Sequence, residues 1–182
     1  MSVQKELSRV RRRNREVTDE SWIRDFLSRA PMCTVATVEK EQPFLNSNLF
    51  LYDDEAHVLY FHTGGDGRTR SNIEANGRVC VSVSEMGRLL PAEKVTDYSV
   101  EYASVILFGI ARVVTDPAEA RSVFQRQLQK YFPHKQSGRD YEPFTDLDMS
   151  RAAVYRIEIK QWSAKRHQEA DDFPGALRYR EV

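Results

Sequence analysis

Apolar residues first recur at helical spacing over 18–30, where Trp22, Ile23, Phe26, Leu27 and Ala30 share one face. Thr18 or Asp19 can cap this helix, and Pro31 stands just beyond its end. From Met32 the period changes to two. Residues 32–39 are β-branched and small, and read as a strand. Over 44–52, Phe44, Asn46, Asn48 and Phe50 alternate with Leu45, Ser47, Leu49 and Leu51. After the acidic turn Asp53-Asp54-Glu55, residues 56–63 form a third strand, so an antiparallel meander is predicted.

Further on, a short helix is predicted over 68–75, ending at Asn76-Gly77. Val79, Val81 and Val83 alternate with Cys80, Ser82 and Ser84 on a fourth strand. Residues 85–100 lack a clear period. Over 101–115, Tyr102, Ser104, Ile106, Phe108 and Ile110 oppose Val105, Leu107 and Val113. Gly109 in mid-strand signals a bulge or a close approach. Asp116-Pro117-Ala118-Glu119 opens a helix with a cap, a first-turn proline and a glutamate. Residues 152–162 form the last strand. The outcome is a mainly β (α+β) chain of six antiparallel strands, a small barrel with peripheral helices. It divides into a basic arm (1–17), one domain (18–167) and a charged tail (168–182).

Candidate chemistry concentrates where the third strand runs into the short helix. His62-Thr63-Gly64-Gly65-Asp66-Gly67-Arg68-Thr69-Arg70 combines glycines that free the backbone with a helix start whose N–H groups lack partners. Arg68 and Arg70 add charge, and Thr63 and Thr69 add hydroxyls. Such a turn suits a phosphate dianion; a solvated helix-capping turn is the alternative. The spacing excludes a P-loop, which needs a longer loop ending in Gly-Lys-Ser/Thr, and a dinucleotide fingerprint, which wants glycine where Arg70 stands. On the neighbouring strand, Asn46 and Asn48 either face water at an edge or offer hydrogen bonds to a heteroaromatic ring. His57 is expected on the solvent face of the third strand, and His134 and His167 in polar segments without a ligand pattern.

Composition narrows the classes. Lys+Arg 27 against Asp+Glu 27 leaves no net field to draw in nucleic acid or membrane. Arg9, Arg11, Arg12, Arg13 and Arg15 form a local exception, either a nucleic-acid arm or, the preferred reading because no aromatic platform accompanies them, a solvated or subunit-embracing arm. Cys33 and Cys80 show no metal spacing and read as reduced thiols of a cytoplasmic protein. No apolar run of membrane-spanning length occurs.

The order of these motifs carries a resemblance. Tyr60-Phe61-His62-Thr63 then Gly67-Arg68-Thr69-Arg70, the segment 79–90, Ser99-Val100-Glu101-Tyr102 then 105–109, and Ala153-Val154-Tyr155 then Trp162-Ser163-Ala164-Lys165 resemble the pyridoxamine 5'-phosphate oxidase-like flavin proteins. Among these the chain is most similar to the Nim-type 5-nitroimidazole reductases. The resemblance implies a split β-barrel and a homodimer with FMN at the subunit interface, FAD or a deazaflavin being alternatives. It implies an oxidoreductase that takes electrons from NAD(P)H and passes them to a small nitroaromatic acceptor; a flavin-storing protein without turnover is the alternative. By position, His62 would lie beside the cofactor and serve as the proton donor. Thr63, Arg68, Thr69 and Arg70 would hold the phosphate, Ala36, Thr37 and Asn46 would line the ring and ribityl chain, and Ser104, Trp162 and Lys165 would close the site. Two departures stand out: Thr69 where many relatives have lysine, and Asn46-Ser47 where several have proline. The further basic residues of true pyridoxamine-phosphate oxidases have no counterpart here, which argues against that activity.

Overall fold

A computed structural model describes residues 7–179. All its strands are antiparallel and belong to one sheet. They are β1 (Glu16–Val17), β2 (Cys33–Glu39), β3 (Gln42–Asn48), β4 (Phe50–Asp53), β5 (Val58–Gly64), β6 (Arg78–Leu90), β7 (Ser99–Val113) and β8 (Ala152–His167). The helices are α1 (Glu20–Arg29), α2 (Arg68–Ala75), α3 (Pro117–Tyr131) and the short α4 (Asp146–Ser150). The sheet runs β3-β2-β6-β7-β8-β5-β4, with β1 added on β8.

Eight strands therefore replace the six expected. Part of the difference is the short β1, whose Glu16 and Val17 pair with Lys165 and Ala164. The rest comes from the stretch 44–52, which breaks at Leu49. Its first half pairs with β2 and its second with β5, so the expected meander is interrupted. Because β3 and β4 are the two ends of the sheet order, one continuous segment turns the corner that closes the barrel. At that corner the Phe50 N–H donates to the Tyr131 hydroxyl, and its carbonyl accepts from that hydroxyl and from Lys130 Nζ. Side chains from the end of α3 thus satisfy the N–H and carbonyl of Phe50 where β4 begins.

The stretch 85–100 is also more regular than its sequence suggests. β6 extends to Leu90 across a register shift between Met86 and Leu89, and β7 begins at Ser99. The local period was lost because a shift in register moves side chains between faces. The bulge expected at Gly109 is present, between Phe108 and Gly109 where β7 meets β8.

Alternation divides the sheet into an inner and an outer face. Val35, Phe50, Leu59, Phe61, Val81, Val83, Val105, Leu107, Tyr155 and Ile157 fill the interior, and α1 closes one part of it with Ile23, Phe26 and Leu27. A second cluster lies outside β4 and β5, where α3 covers Leu51, Val58, Tyr60 and Val154 with Ala120, Val123 and Phe124. The outer face of β2, β6 and β7 has no such cover. Ala36, Cys80, Ile106 and Phe108 are half-buried there, and Ile110 and Leu45 are exposed.

The tail is tied down by a backbone bridge between Leu89 and Leu177 and by an ion pair. Arg88 pairs with the nearly buried Glu101 at 2.6 Å and donates to the carbonyls of Glu169, Ala170 and Asp171. Arg88 holds the Glu101 carboxyl down to about 2. A depressed carboxyl stabilises the fold above its ordinary value of 4.5 and loses that contribution as pH falls toward 2. Urea titrations at stepped pH are expected to show Glu101→Gln less stable than the parent at pH 7, the gap narrowing below about pH 4. An equal gap at pH 7 and pH 2.5 would refute that role.

Candidate functional site

The glycine-rich turn leaves β5 at Gly64 and enters α2 at Arg68. Gly67 takes the N-cap position at φ +135°, a conformation that side chains rarely adopt. No side chain caps this helix start, and a Cβ on Gly67 would meet nothing within 4 Å. The first amides of α2 therefore carry no side-chain cap.

The four polar residues expected to surround an anion divide their duties. Arg68 is exposed and lies over the Phe44 ring at 5.2 Å, with no carboxylate partner among the described residues. Arg70 is committed to the protein: Nη1 donates to the Gly65 carbonyl at 2.7 Å and Nε to Glu74 at 2.8 Å. Thr69 is buried, and its hydroxyl accepts from Asn46 Nδ2 at 3.1 Å. Thr63 shares its hydroxyl with Tyr155 at 3.0 Å. Arg70, Thr69 and Thr63 thus hold the turn in shape, while Arg68 is exposed and the helix start has no side-chain cap. Arg151 secures the far side, its carbonyl accepting from the Gly65 N–H at 2.8 Å.

The remaining expected residues separate by face. Thr37 is buried on the inner face, where its hydroxyl accepts from Asn72 Nδ2 at 2.9 Å. Asn46 occupies the same face of the adjoining edge strand, which answers the question left open by its sequence: this amide serves α2 rather than water. Ala36, Ser104 and Lys165 occupy the outer face, Ser104 directly opposite Lys165 across β7 and β8. Trp162 is paired with Leu107 on the inner face, away from those two. It stacks edge-on with His57 at 4.7 Å and lies under Arg24 at 5.4 Å.

Two histidines differ from expectation. His57 precedes β5 at φ +52° and is half-buried against Trp162, so it is not a solvent-facing strand residue. His167 is buried, with Nδ1 2.9 Å from the Val100 carbonyl and Nε2 2.9 Å from Glu169. His62 lies on the opposite face of β5 from Thr63, beneath α3. Its Nδ1 is 2.9 Å from Gln127 Oε1 and its ring is 4.9 Å from Phe124. Burial lowers its pKa from the ordinary value, and the Gln127 hydrogen bond opposes that only in part. The imidazole is therefore neutral near pH 7.

Phe44, Asn72, Glu74 and Gln127 contribute to this site without having been singled out in the sequence. Only Glu74 had a readable signal, four residues after Arg70 on one helix. Gln127 meets His62 across 65 positions, a distance no local pattern encodes. Among the described residues no cluster suited to a metal ion occurs, and no helix is long and apolar enough to cross a membrane.

An antiparallel split barrel with an open, glycine-started helix beside its edge strand defines the class. The pyridoxamine 5'-phosphate oxidase family model matches residues 19–166, and the chain belongs to that family. No match is found among curated proteins. Among solved structures, the flavocytochrome Anf3 from Azotobacter vinelandii superposes with a TM-score of 0.81 at 21% identity, over 95% of this chain and 85% of that one. A candidate 5-nitroimidazole antibiotic resistance protein from Bacteroides thetaiotaomicron gives 0.69 at 21% identity, over 83% and 86%. A FAD- and heme-binding protein from Mycobacterium smegmatis gives 0.75 at 21% identity, over 87% and 78%. At these identities the likeness establishes a shared fold.

Proposed function

We propose that this chain binds FMN by its phosphate at the start of α2 and acts as an oxidoreductase, carrying electrons from NAD(P)H to a small nitroaromatic acceptor. One observation carries the reading: a helix N-terminus with no side-chain cap beside a guanidinium that has no carboxylate partner among the described residues. The donor set fits a phosphate monoester, which needs converging N–H groups, positive charge and room for its oxygens. The names of the structural neighbours, a flavocytochrome and a FAD- and heme-binding protein among them, support a flavin. The Bacteroides protein supports the nitroaromatic class.

Bound flavin supplies the two-electron redox chemistry. The protein's share is binding and orientation. Arg68 and the α2 amides take the phosphate, while Arg70, Thr69 and Asn46 keep that cradle from collapsing. Because Gln127 Oε1 can only accept, its 2.9 Å contact with His62 Nδ1 favours the tautomer protonated there, which leaves Nε2 as an acceptor. At neutral pH it suits orienting a donor better than acting as an acid. Two copies would pair through the uncovered outer face, where Ile106, Phe108 and Ile110 adjoin Ala36, Ser104 and Lys165. That pairing would bring residues of both barrels to each cofactor.

A second reading, a flavin carrier without turnover, is favoured by the placement of His62, held beneath α3 by Gln127 and Phe124 on the face of β5 opposite Thr63. One set of measurements separates the readings. The protein with FMN is expected to show flavin absorption, to sediment as a dimer and to oxidise NAD(P)H faster when a 5-nitroimidazole is added. Flavin absorption without acceptor-dependent oxidation would leave the carrier, and failure to bind FMN would end both.

A further inference from the structure

Away from the glycine turn, a cavity of about 270 Å³ opens between α1 and the far ends of β6, β7 and β8. Its wall carries Trp22, Tyr102 and Arg166. The Trp22 ring is held from one side by Phe26, stacked at 5.2 Å, and Arg166 lies over it at 5.9 Å. The indole N–H of Trp22 and the hydroxyl of Tyr102 have no hydrogen-bond partner among the described residues. Arg166 has a neutral partner, the side-chain carbonyl of Gln168, and no carboxylate among the described residues.

The acidic groups of the wall are already answered. Glu85 takes two hydrogen bonds from Arg29, at 2.9 and 3.0 Å. Glu101 is held by Arg88 and by the Glu169 amide. His167 spends both ring nitrogens within the protein, and Arg178 on the rim has interactions of its own. What the cavity offers a ligand is therefore an aromatic wall, donors without acceptors and one guanidinium free of a counter-charge.

We propose that this cavity is a second ligand site, separate from the α2 turn, for a small aromatic carboxylate. The acid group would meet Arg166, whose fork accepts a carboxylate in two hydrogen bonds. The ring would lie against Trp22 or Tyr102. The volume is below the usual range for drug-sized ligands, which limits the occupant to one or two rings. An aliphatic dianion would leave the aromatic wall unused, and a neutral arene would leave the guanidinium and the donors unanswered.

The test uses the full-length protein titrated with 1-naphthoate and, separately, with the neutral 1-naphthylmethanol, heat being recorded by calorimetry. Saturable binding of 1-naphthoate is expected, with naphthylmethanol at least about tenfold weaker, the discrimination that one charge-assisted contact supplies. Arg166→Ala should remove the preference for the acid, whereas Arg166→Lys should retain part of it. Trp22→Phe should weaken both compounds alike. Because Arg166 is exposed, its variants are expected to melt with the parent. Absence of saturable binding at millimolar 1-naphthoate, equal affinity for acid and alcohol, or an unchanged preference in Arg166→Ala would overturn the proposal. Excess FMN leaving naphthoate affinity unchanged is expected of two separate sites, and competition would refute that separation.

Discussion

Arg68→Glu is expected to weaken FMN binding by about 100-fold or more without lowering the stability of the fold. A charge-assisted hydrogen bond is worth about 1.5–3 kcal/mol, and each 1.4 kcal/mol is tenfold in affinity. Reversal of sign adds repulsion from the phosphate itself. Arg68→Ala should then cost about 10- to 100-fold. Stability should change little, because Arg68 is exposed and its contact with Phe44 is a surface cation–π pair worth about 0.5–1 kcal/mol. Titration of FMN fluorescence measures the affinity, and riboflavin provides the control. Lacking a phosphate, riboflavin should bind parent and Arg68→Glu equally. If Arg68→Glu holds FMN as tightly as the parent, the anion is gripped elsewhere and the proposed cradle is wrong. Arg70 makes a useful contrast, since its loss would act through the Gly65 carbonyl and the shape of the turn.

Gly109→Val should lower unfolding free energy by about 3 kcal/mol, the upper end of ordinary overpacking. A Cβ at this position would come within 2.5 Å of the Glu158 carbonyl oxygen and 2.7 Å of Ile157 Cγ2. The first of these is backbone in the paired strand and cannot swing aside. Such a loss is a large fraction of the stability of an ordinary domain, about 5–15 kcal/mol. The matching control is Gly64→Ala, whose added carbon meets nothing closer than 3.9 Å. Urea unfolding of the two variants should separate them widely. Equal midpoints would mean that β7 and β8 can part at the bulge at little cost.

Both predictions concern stretches whose glycines were visible in the chain, yet only one stretch had a readable chemical purpose. The turn at 64–67 announced itself by glycines, arginines and threonines packed into nine residues. Asp19 and Asp116 likewise mark the helix starts they cap, with side chains accepting from Ser21 and Ala118. Helix α2 runs over the residues its pattern predicts. The two arginines of the turn differ in their partners. Glu74 lies one helical turn beyond Arg70, a spacing the sequence already shows, whereas Arg68 has no carboxylate partner among the described residues.

The strands show the same boundary. Alternation states that Thr63 and His62 point opposite ways, and likewise Trp162 and Lys165. It does not state which side becomes the interior, and so His62 meets α3 while Trp162 meets α1 and His57. Nor does it reveal that 44–52 supplies both ends of the sheet, since Leu49 looks like any other member of the series.

By itself the chain determined its helices, the period of its strands and the composition of the phosphate turn, because caps, glycines and alternation act over a few residues. Tertiary structure decided the strand order, the interior face and the corner at Leu49. Those outcomes depend on partners tens of residues away, chosen by the burial and pairing of the whole sheet.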